Sequence, residues 1–317
     1  MNNNGRLLNS YINIKQLPHP IDWQKVFDRQ CALEVEIGCG MGEVLVRKAH
    51  QYPNKNFVGL DIHPTRILEA LKRVDRQDCG NNVCIVKADA WWFLQYSLAK
   101  EAVDNMFCFF PCPWPKLKHE KHRLFSKDFL ELVSTRLKKD GCLNIITDYY
   151  PYEKWIAEQA SMPSIQNVFS YEVSEGYSNY DTKFEKKWKA KGQRKFLHIK
   201  FRKKYSYNLK EKELVALQTH DLKHFDPNEF KFDDVKEDAI SIILKDKLFD
   251  PNKQHAIIYC IVQESNLLQH FRISIIRKSE DKWIVRKTDG QDILITPGIN
   301  RALDLVYEAA GGNTDEK

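Results

Sequence analysis

Between Cys31 and Asp148 the chain alternates short apolar runs with amphipathic stretches. The apolar runs are CALEVEIG (31–38), NFVGLD (56–61), NVCIVKAD (82–89), VDNMFCFFP (103–111) and GCLNIITD (141–148). Each is too short and too continuous for a solvent-facing helix, and each is followed by a helix-length segment, the pattern of a doubly wound sheet of parallel strands. Ile67, Leu71 and Val74 fall at i, i+4 and i+7, one face of a helix. Phe129, Val133 and Leu137 do the same at i, i+4 and i+8 behind Ser126, a candidate N-cap. Two further β-rich runs, NVFSYEVS (167–174) and FLHIKFRK (196–203), bracket YSNYDTKFEKKWKAKG, read as a loop. They predict antiparallel strands at the sheet edge.

Near residues 203–214, KKYSYNLKEKEL reads as a linker, and the pattern changes after it. AISIILKD, HAIIYCIVQE, LLQHFRISIIRK and KWIVRKTD follow one another at hairpin spacing, and GINRALDLVYEAA has helical periodicity. An antiparallel sheet closed by a helix is expected, with GGNTDEK as a frayed tail. The expected organisation is an N-terminal tail over 1–20, an α/β domain over 21–204, and a smaller α+β domain over 205–317.

Charge sharpens this division. Residues 1–204 hold 33 Lys+Arg against 23 Asp+Glu, whereas 205–317 hold 16 against 20. Most of the excess falls in 116–204, with 20 cations against 11 acids, and a localised basic surface suggests a polyanion partner. No apolar run is long enough to cross a bilayer, and the first residues lack the apolar core of a secretory signal, so a soluble cytoplasmic protein is expected. The eight cysteines are scattered, several within predicted strands (Cys84, Cys108, Cys142, Cys260). Reduced, buried thiols are expected. Cys108, Cys112, His119 and His122 have a metal-like spacing, but Cys108 lies in an apolar strand, so no metal site is assigned.

Candidate chemistry gathers at the strand ends. Glu36-Ile37-Gly38-Cys39-Gly40-Met41-Gly42 joins the first strand to a helix, and its glycines permit a tight turn and close approach to a ligand. The G-x-G-x-G spacing departs from the dinucleotide pattern and suits S-adenosylmethionine better. Asp61 ends the second strand, placed for ribose hydroxyls, and Asp89-Ala90 ends the third. Three acids at successive strand ends lie along the carboxyl edge, where open α/β sheets bind ligands. The fourth strand runs into Phe110-Pro111-Cys112-Pro113-Trp114-Pro115-Lys116, whose prolines predict a rigid loop off the sheet. Trp114 offers a flat surface for a base, and the basic run Lys116–Arg123 offers charge for phosphate.

At this loop the sequence resembles the bacterial tRNA (guanine-N7)-methyltransferase family, whose signature is approximately FPDPWPKxRHxKRR against FPCPWPKLKHEKHR here. The segment LEVEIGCGMGE, Thr147-Asp148 after the fifth strand, and Thr182-Lys183-Phe184-Glu185 match further family motifs in the same order. The resemblance covers roughly residues 20–204. It implies a class I methyltransferase fold, Rossmann-like with a seven-stranded, mostly parallel sheet, and methylation of guanine N7 at position 46 of tRNA. By position, it implies that Glu36, Gly38, Gly40, Gly42, Asp61, Asp89 and Ala90 hold S-adenosylmethionine. Lys116, Asp148, Thr182, Lys183, Phe184 and Glu185 are implied to contact the guanosine. Where the family carries its catalytic aspartate this chain carries Cys112, which opens the alternative of an impaired paralogue that binds tRNA without turnover. The resemblance leaves monomer and homodimer open, and the C-terminal domain is free to contact a protein partner.

Overall fold

A computed structural model describes residues 9–178, 180–237 and 239–312. The chain divides into two compact units, with the break between Glu211 and Lys212. The first unit is built on a seven-stranded sheet of order β3-β2-β1-β4-β5-β7-β6. Its strands are β1 (Ala32–Ile37), β2 (Lys55–Asp61), β3 (Val83–Lys87), β4 (Val103–Phe109), β5 (Leu137–Thr147), β6 (Phe169–Tyr177) and β7 (Lys195–Lys203). Strands β1 to β5 pair in parallel, and β7 runs antiparallel to β5 and β6. The five apolar runs are these five parallel strands, and the two bracketing runs are the antiparallel pair at the edge. Strand β1 is buried along almost its whole length, as expected of a parallel strand covered on both faces.

Helices α1 (Trp23–Phe27), α2 (Glu43–Gln51), α3 (Pro64–Arg76), α4 (Lys127–Arg136), α5 (Tyr150–Ala160), α6 (Pro163–Val168) and α7 (Lys183–Lys189) complete the unit. In α3 the predicted stripe Ile67, Leu71, Val74 is buried, joined by Ala70. Ser126 caps α4, its side chain accepting from Phe129 N at 3.4 Å.

Three local expectations change. Helix α4 stops before Leu137, which is extended and pairs with Val103 as the start of β5. The buried Arg136 guanidinium fixes that exit, donating to Leu94 O at 2.7 Å and to both oxygens of Glu211. After β3 the expected helix is only a turn, Ala90–Trp92, widening into a π-turn at Phe93–Ser97, where Trp92, Phe93, Leu94 and Tyr96 are buried. The segment read as a loop between β6 and β7 contains α7, started by a capping box. Thr182 accepts from Glu185 N, and Glu185 accepts from Thr182 N.

The linker also holds a surprise. Tyr205–Glu211 clusters with the first unit, beyond the expected boundary at 204/205, because polar bonds tie it down. Ser206 donates to Glu101, Tyr207 N donates to Ser134, and Glu211 pairs with Arg136.

The second unit is a six-stranded antiparallel sheet of order β8-β13-β12-β11-β10-β9. Its four long strands, β10 (Ile240–Asp250), β11 (His255–Glu264), β12 (Leu267–Ser279) and β13 (Lys282–Lys287), are the four apolar runs, flanked by β8 (His220–Leu222) and β9 (Val235–Glu237). Helix α8 (Pro297–Ala309) packs Ile299, Leu303 and Val306 into the core with Ile258, Cys260 and Val262. Most of the expected tail, residues 313–317, lies outside the described residues. All eight cysteines are free thiols, six of them buried and Cys112 exposed. Among the described residues no helix is long and apolar enough to cross a membrane.

Candidate active site

The glycine loop leaves β1 at its carboxyl end and turns sharply into α2. Gly38, Gly40 and Gly42 all have positive φ (71°, 55° and 75°), which a side chain would strain. A Cβ on Gly38 or Gly40 would meet nothing within 4 Å, so the loop backbone is open for a ligand to approach. Gly38 N and Cys39 N both donate to Leu60 O, at 2.8 and 2.9 Å, stitching the turn to β2. Asp61 (4% exposed) holds the loop from that strand, accepting from Gly40 N at 3.1 Å and from His63 N at 2.9 Å, with Arg66 at 3.6 Å. Each carboxylate oxygen has a second lone pair, so these bonds leave acceptor capacity.

Glu36 ends β1 directly beneath the loop and is 3% exposed. The Leu45 N–H in the first turn of α2 donates to its carboxyl. Oε2 is buried and meets no hydrogen-bond donor among the described residues. Burial, reinforced by the neighbouring Glu43, raises the Glu36 carboxyl well above the ordinary carboxylate range, with Lys48 opposing. A buried acceptor without a donor costs free energy unless a ligand supplies one. Asp89, at the end of β3, caps the turn that follows, accepting from Trp91 N at 2.9 Å, and burial raises its carboxyl too. Ala90 is buried in that turn.

The loop after β4 begins with Phe110, whose N–H donates to Ile146 O of β5 at 2.7 Å. Phe110 and Trp114 have φ of 56° and 44°, unusual for bulky residues and a mark of a backbone over-determined by its surroundings. Cys112 between them is exposed. Trp114 forms a ring cluster with His122 and His119, at centroid distances of 5.1 and 5.8 Å. Lys116, Lys118 and Lys121 face solvent.

Arg123 departs from the expected phosphate surface. It is 8% exposed, donates to Pro113 O at 3.1 Å and to Glu120 at 3.2 Å, and lies over Tyr152 and Trp155. It anchors the loop from below. Arg123→Ala is expected to cost about 2 kcal/mol for the lost charged hydrogen bonds and so lower the melting temperature by roughly 4–8 °C. Thermal denaturation checks this, and an unchanged melting curve would remove the anchor role.

Asp148 follows β5, half-buried, with no hydrogen bond or ion pair among the described residues. It does not cap α5, which starts at Tyr150 with no side-chain cap. The Thr182–Glu185 motif reaches the same edge differently from the expectation. Thr182 and Glu185 are buried and bonded to each other, and Ser178 donates to Glu185. Their side chains fasten the start of α7. Lys183 and Phe184 are the exposed pair, and the Phe184 ring stacks on Phe110 at 5.9 Å. That contact joins the motif to the Cys112 loop.

The carboxyl ends of β3, β2, β1, β4 and β5 thus carry Asp89, Asp61, Glu36 with the glycines, Cys112 and Asp148, in that spatial order. The family model described as "Putative methyltransferase" matches residues 30–198. The chain belongs to this methyltransferase family. It is 28% identical over 298 residues to the tRNA (guanine-N(7)-)-methyltransferase of Thermotoga maritima, covering 91% of this chain and 92% of that protein. Its identity to the protein of the same name from Aquifex aeolicus is 28% over 312 residues, covering 94% and 98%. With the Nitrosomonas eutropha tRNA (guanine-N(7)-)-methyltransferase it shares 41% over 134 residues, covering 42% and 59%. The first two alignments are longer than the first unit, so similarity to methyltransferases extends into the second unit, past the limit drawn from motifs alone.

Two side chains that shape this edge escaped the sequence reading, Ser178 and Tyr180, the latter 4.9 Å from Phe109, and Arg123 was read in the wrong role. Only the capping box left a readable signal, Thr-x-x-Glu before a helical stretch.

Proposed function

We propose that this protein transfers the methyl group of S-adenosylmethionine to N7 of a guanine in tRNA, the guanine at position 46. The observation that carries the reading is one line of chemistry on one edge. A buried, donor-hungry Glu36 lies under an open glycine loop, one strand away from a strained aromatic loop and two strands from an unengaged Asp148.

The residues fit the cofactor. The Glu36 carboxyl lacks the donor that an ammonium would provide, Gly38 and Gly40 leave room above the backbone, and Asp61 retains lone pairs for ribose hydroxyls. When bound, S-adenosylmethionine supplies an electrophilic methyl on a sulfonium. Guanine N7 carries an in-plane lone pair and no proton, so the protein needs no general base. Its task is placement. Asp148 accepts from the guanine N–H edge, Phe184 offers an exposed ring beside it, and Lys116 neutralises phosphate. Cys112 accepts no proton in this scheme. Thr182 and Glu185 act as positioning residues, holding α7 so that Phe184 stays on Phe110. Action on tRNA fits the cytoplasmic location expected from the sequence. Residues 21–204 form the methyltransferase domain, with 205–211 strapped to it. The second unit is open to a protein partner, and both monomer and homodimer are compatible with an edge site built from one chain.

The test is incubation of the purified protein with unmodified tRNA and methyl-labelled S-adenosylmethionine, followed by nucleoside analysis. Labelled 7-methylguanosine is expected, and it should vanish when guanine 46 is replaced by adenine. Bound tRNA without any labelled nucleoside would overturn the assignment in favour of a non-catalytic tRNA-binding paralogue.

A further inference from the structure

One cavity of the first unit lies away from the residues assigned to the cofactor. It measures about 880 Å³ and opens between α2 and the face of β5, β7 and β6. Glu36, Asp61, Asp89, Cys112 and Asp148 do not line it, although Ser178 and Tyr180, which belong to the segment starting α7, form its wall.

The wall is basic and aromatic. Arg47, Lys48, Lys200 and His198 face a single carboxylate, Glu172. Lys48 is held by Glu34 at 3.2 Å and lies 4.7 Å from the Phe107 ring, and Arg47 pairs with Asp181 at the rim. Lys200 makes no ion pair with any described carboxylate. Tyr177, 64% exposed, stands at the rim where β6 ends. One wall, β7, belongs to the most basic part of the chain, whereas β6 carries Glu172 and Glu175 and no cation. Residues 183–204 hold 11 Lys+Arg and one acid, Glu185, which is buried. Such a concentration of positive charge is electrostatically costly unless a polyanion lies against it. Cations along a groove with rings at its mouth suit a single nucleic-acid strand, phosphates on the cations and a base on the ring.

We propose that this cleft takes the ribose-phosphate strand of the tRNA beside the target guanosine, as a second RNA contact distinct from the Lys116–Lys121 loop. The inference rests on the tRNA-methylating function above and adds where the substrate runs. The RNA then grips the enzyme on both sides of the methylated base, and Lys200 and Tyr177 set affinity without touching the reaction.

The experiment measures binding of an unmodified tRNA transcript to the full chain across a salt series, together with KM, kcat and S-adenosylmethionine affinity. Lys200→Glu is expected to raise Kd and KM for tRNA about tenfold, with kcat at saturating tRNA and cofactor affinity unchanged. Lys200→Gln should raise them about threefold and reduce the slope of log K against log salt by about one phosphate contact. Tyr177→Ala, on an exposed side chain, should raise KM without altering that slope. Wild-type Kd, KM and salt slope in all three variants would overturn the proposal while leaving 7-methylguanosine formation intact. The function itself fails on a different readout, the absence of 7-methylguanosine from wild-type reactions. Should wild-type protein bind no tRNA at all, both fall together.

Discussion

Glu36→Gln is expected to weaken S-adenosylmethionine binding roughly 10- to 150-fold and, in the same protein, to raise the melting temperature. The two effects have one cause. Glu36 is almost fully buried, one carboxylate oxygen has no donor, and burial followed by the Glu43 charge pushes its carboxyl up. A raised carboxyl binds its proton more tightly in the folded state than in the unfolded chain. The stability from that difference is present at low pH and is lost as pH rises from the ordinary value of 4.5 through the folded value. At neutral pH Glu36, whether ionised or made to take up a proton, therefore burdens the ligand-free fold. An ammonium group delivered by the cofactor removes the burden, and losing such a charge-assisted hydrogen bond costs about 1.5–3 kcal/mol. Cofactor affinity should accordingly strengthen as pH rises through the Glu36 titration. Glutamine keeps the shape and the Leu45 contact but never carries the charge, so the fold gains what the complex loses. Calorimetric titration at two pH values, with melting curves of both proteins, measures both sides. A glutamine variant with wild-type affinity would remove Glu36 from the cofactor site.

The same contrast between local pattern and tertiary context explains what was legible in the sequence. Five buried parallel strands announce themselves as continuous apolar runs because both their faces are covered, and the glycine loop is readable because the turn needs φ values that glycine supplies cheaply. The strand ends then placed Glu36, Asp61 and Asp89 along one edge, with Cys112 and Asp148 after the next two strands, while their spatial order waited for the sheet topology. Direction was another matter. Nothing in Thr-Lys-Phe-Glu says that Thr182 and Glu185 turn inward onto each other while Phe184 turns outward onto Phe110, although the capping-box spacing was there to be used. Arg123 sat in a basic run and read as one more phosphate ligand, yet the aromatic pair beneath it, Tyr152 and Trp155, comes from a helix about thirty residues on. Leu137 completes a helical stripe by spacing, but Arg136 and the ladder to Val103 end the helix one residue earlier. The cleft at Lys200 was invisible for the same reason. It exists only where α2, β5, β6 and β7 meet.

Cys112→Asp is expected to raise kcat roughly 10- to 150-fold with little change in KM for tRNA. Phe110 N bonds Ile146 O, so Cys112 and Asp148, each two residues farther along, leave adjacent strands at the same level. In the proposed scheme Asp148 is the carboxylate that accepts a hydrogen bond from the guanine edge as positive charge grows on the ring. A second carboxylate adds one charge-assisted hydrogen bond in the transition state, about 1.5–3 kcal/mol, which at 1.36 kcal/mol per decade is the stated range. Repulsion between the two carboxylates opposes this. Position 112 is exposed, and even two charges about 4 Å apart in water repel by only about 1 kcal/mol, so the gain wins. Cys112→Asn separates charge from shape, since an amide accepts a hydrogen bond but does not balance a cation, and it should recover only a small part of the effect. Asp148→Asn should lower kcat by a similar 10- to 150-fold in the wild-type background and by less in the Cys112→Asp background, because the two acids then share one task. If Cys112→Asp leaves kcat unchanged while Asp148→Asn abolishes it, Asp148 alone carries the role and the cysteine is no handicap. The argument that position 112 limits the rate would then be wrong.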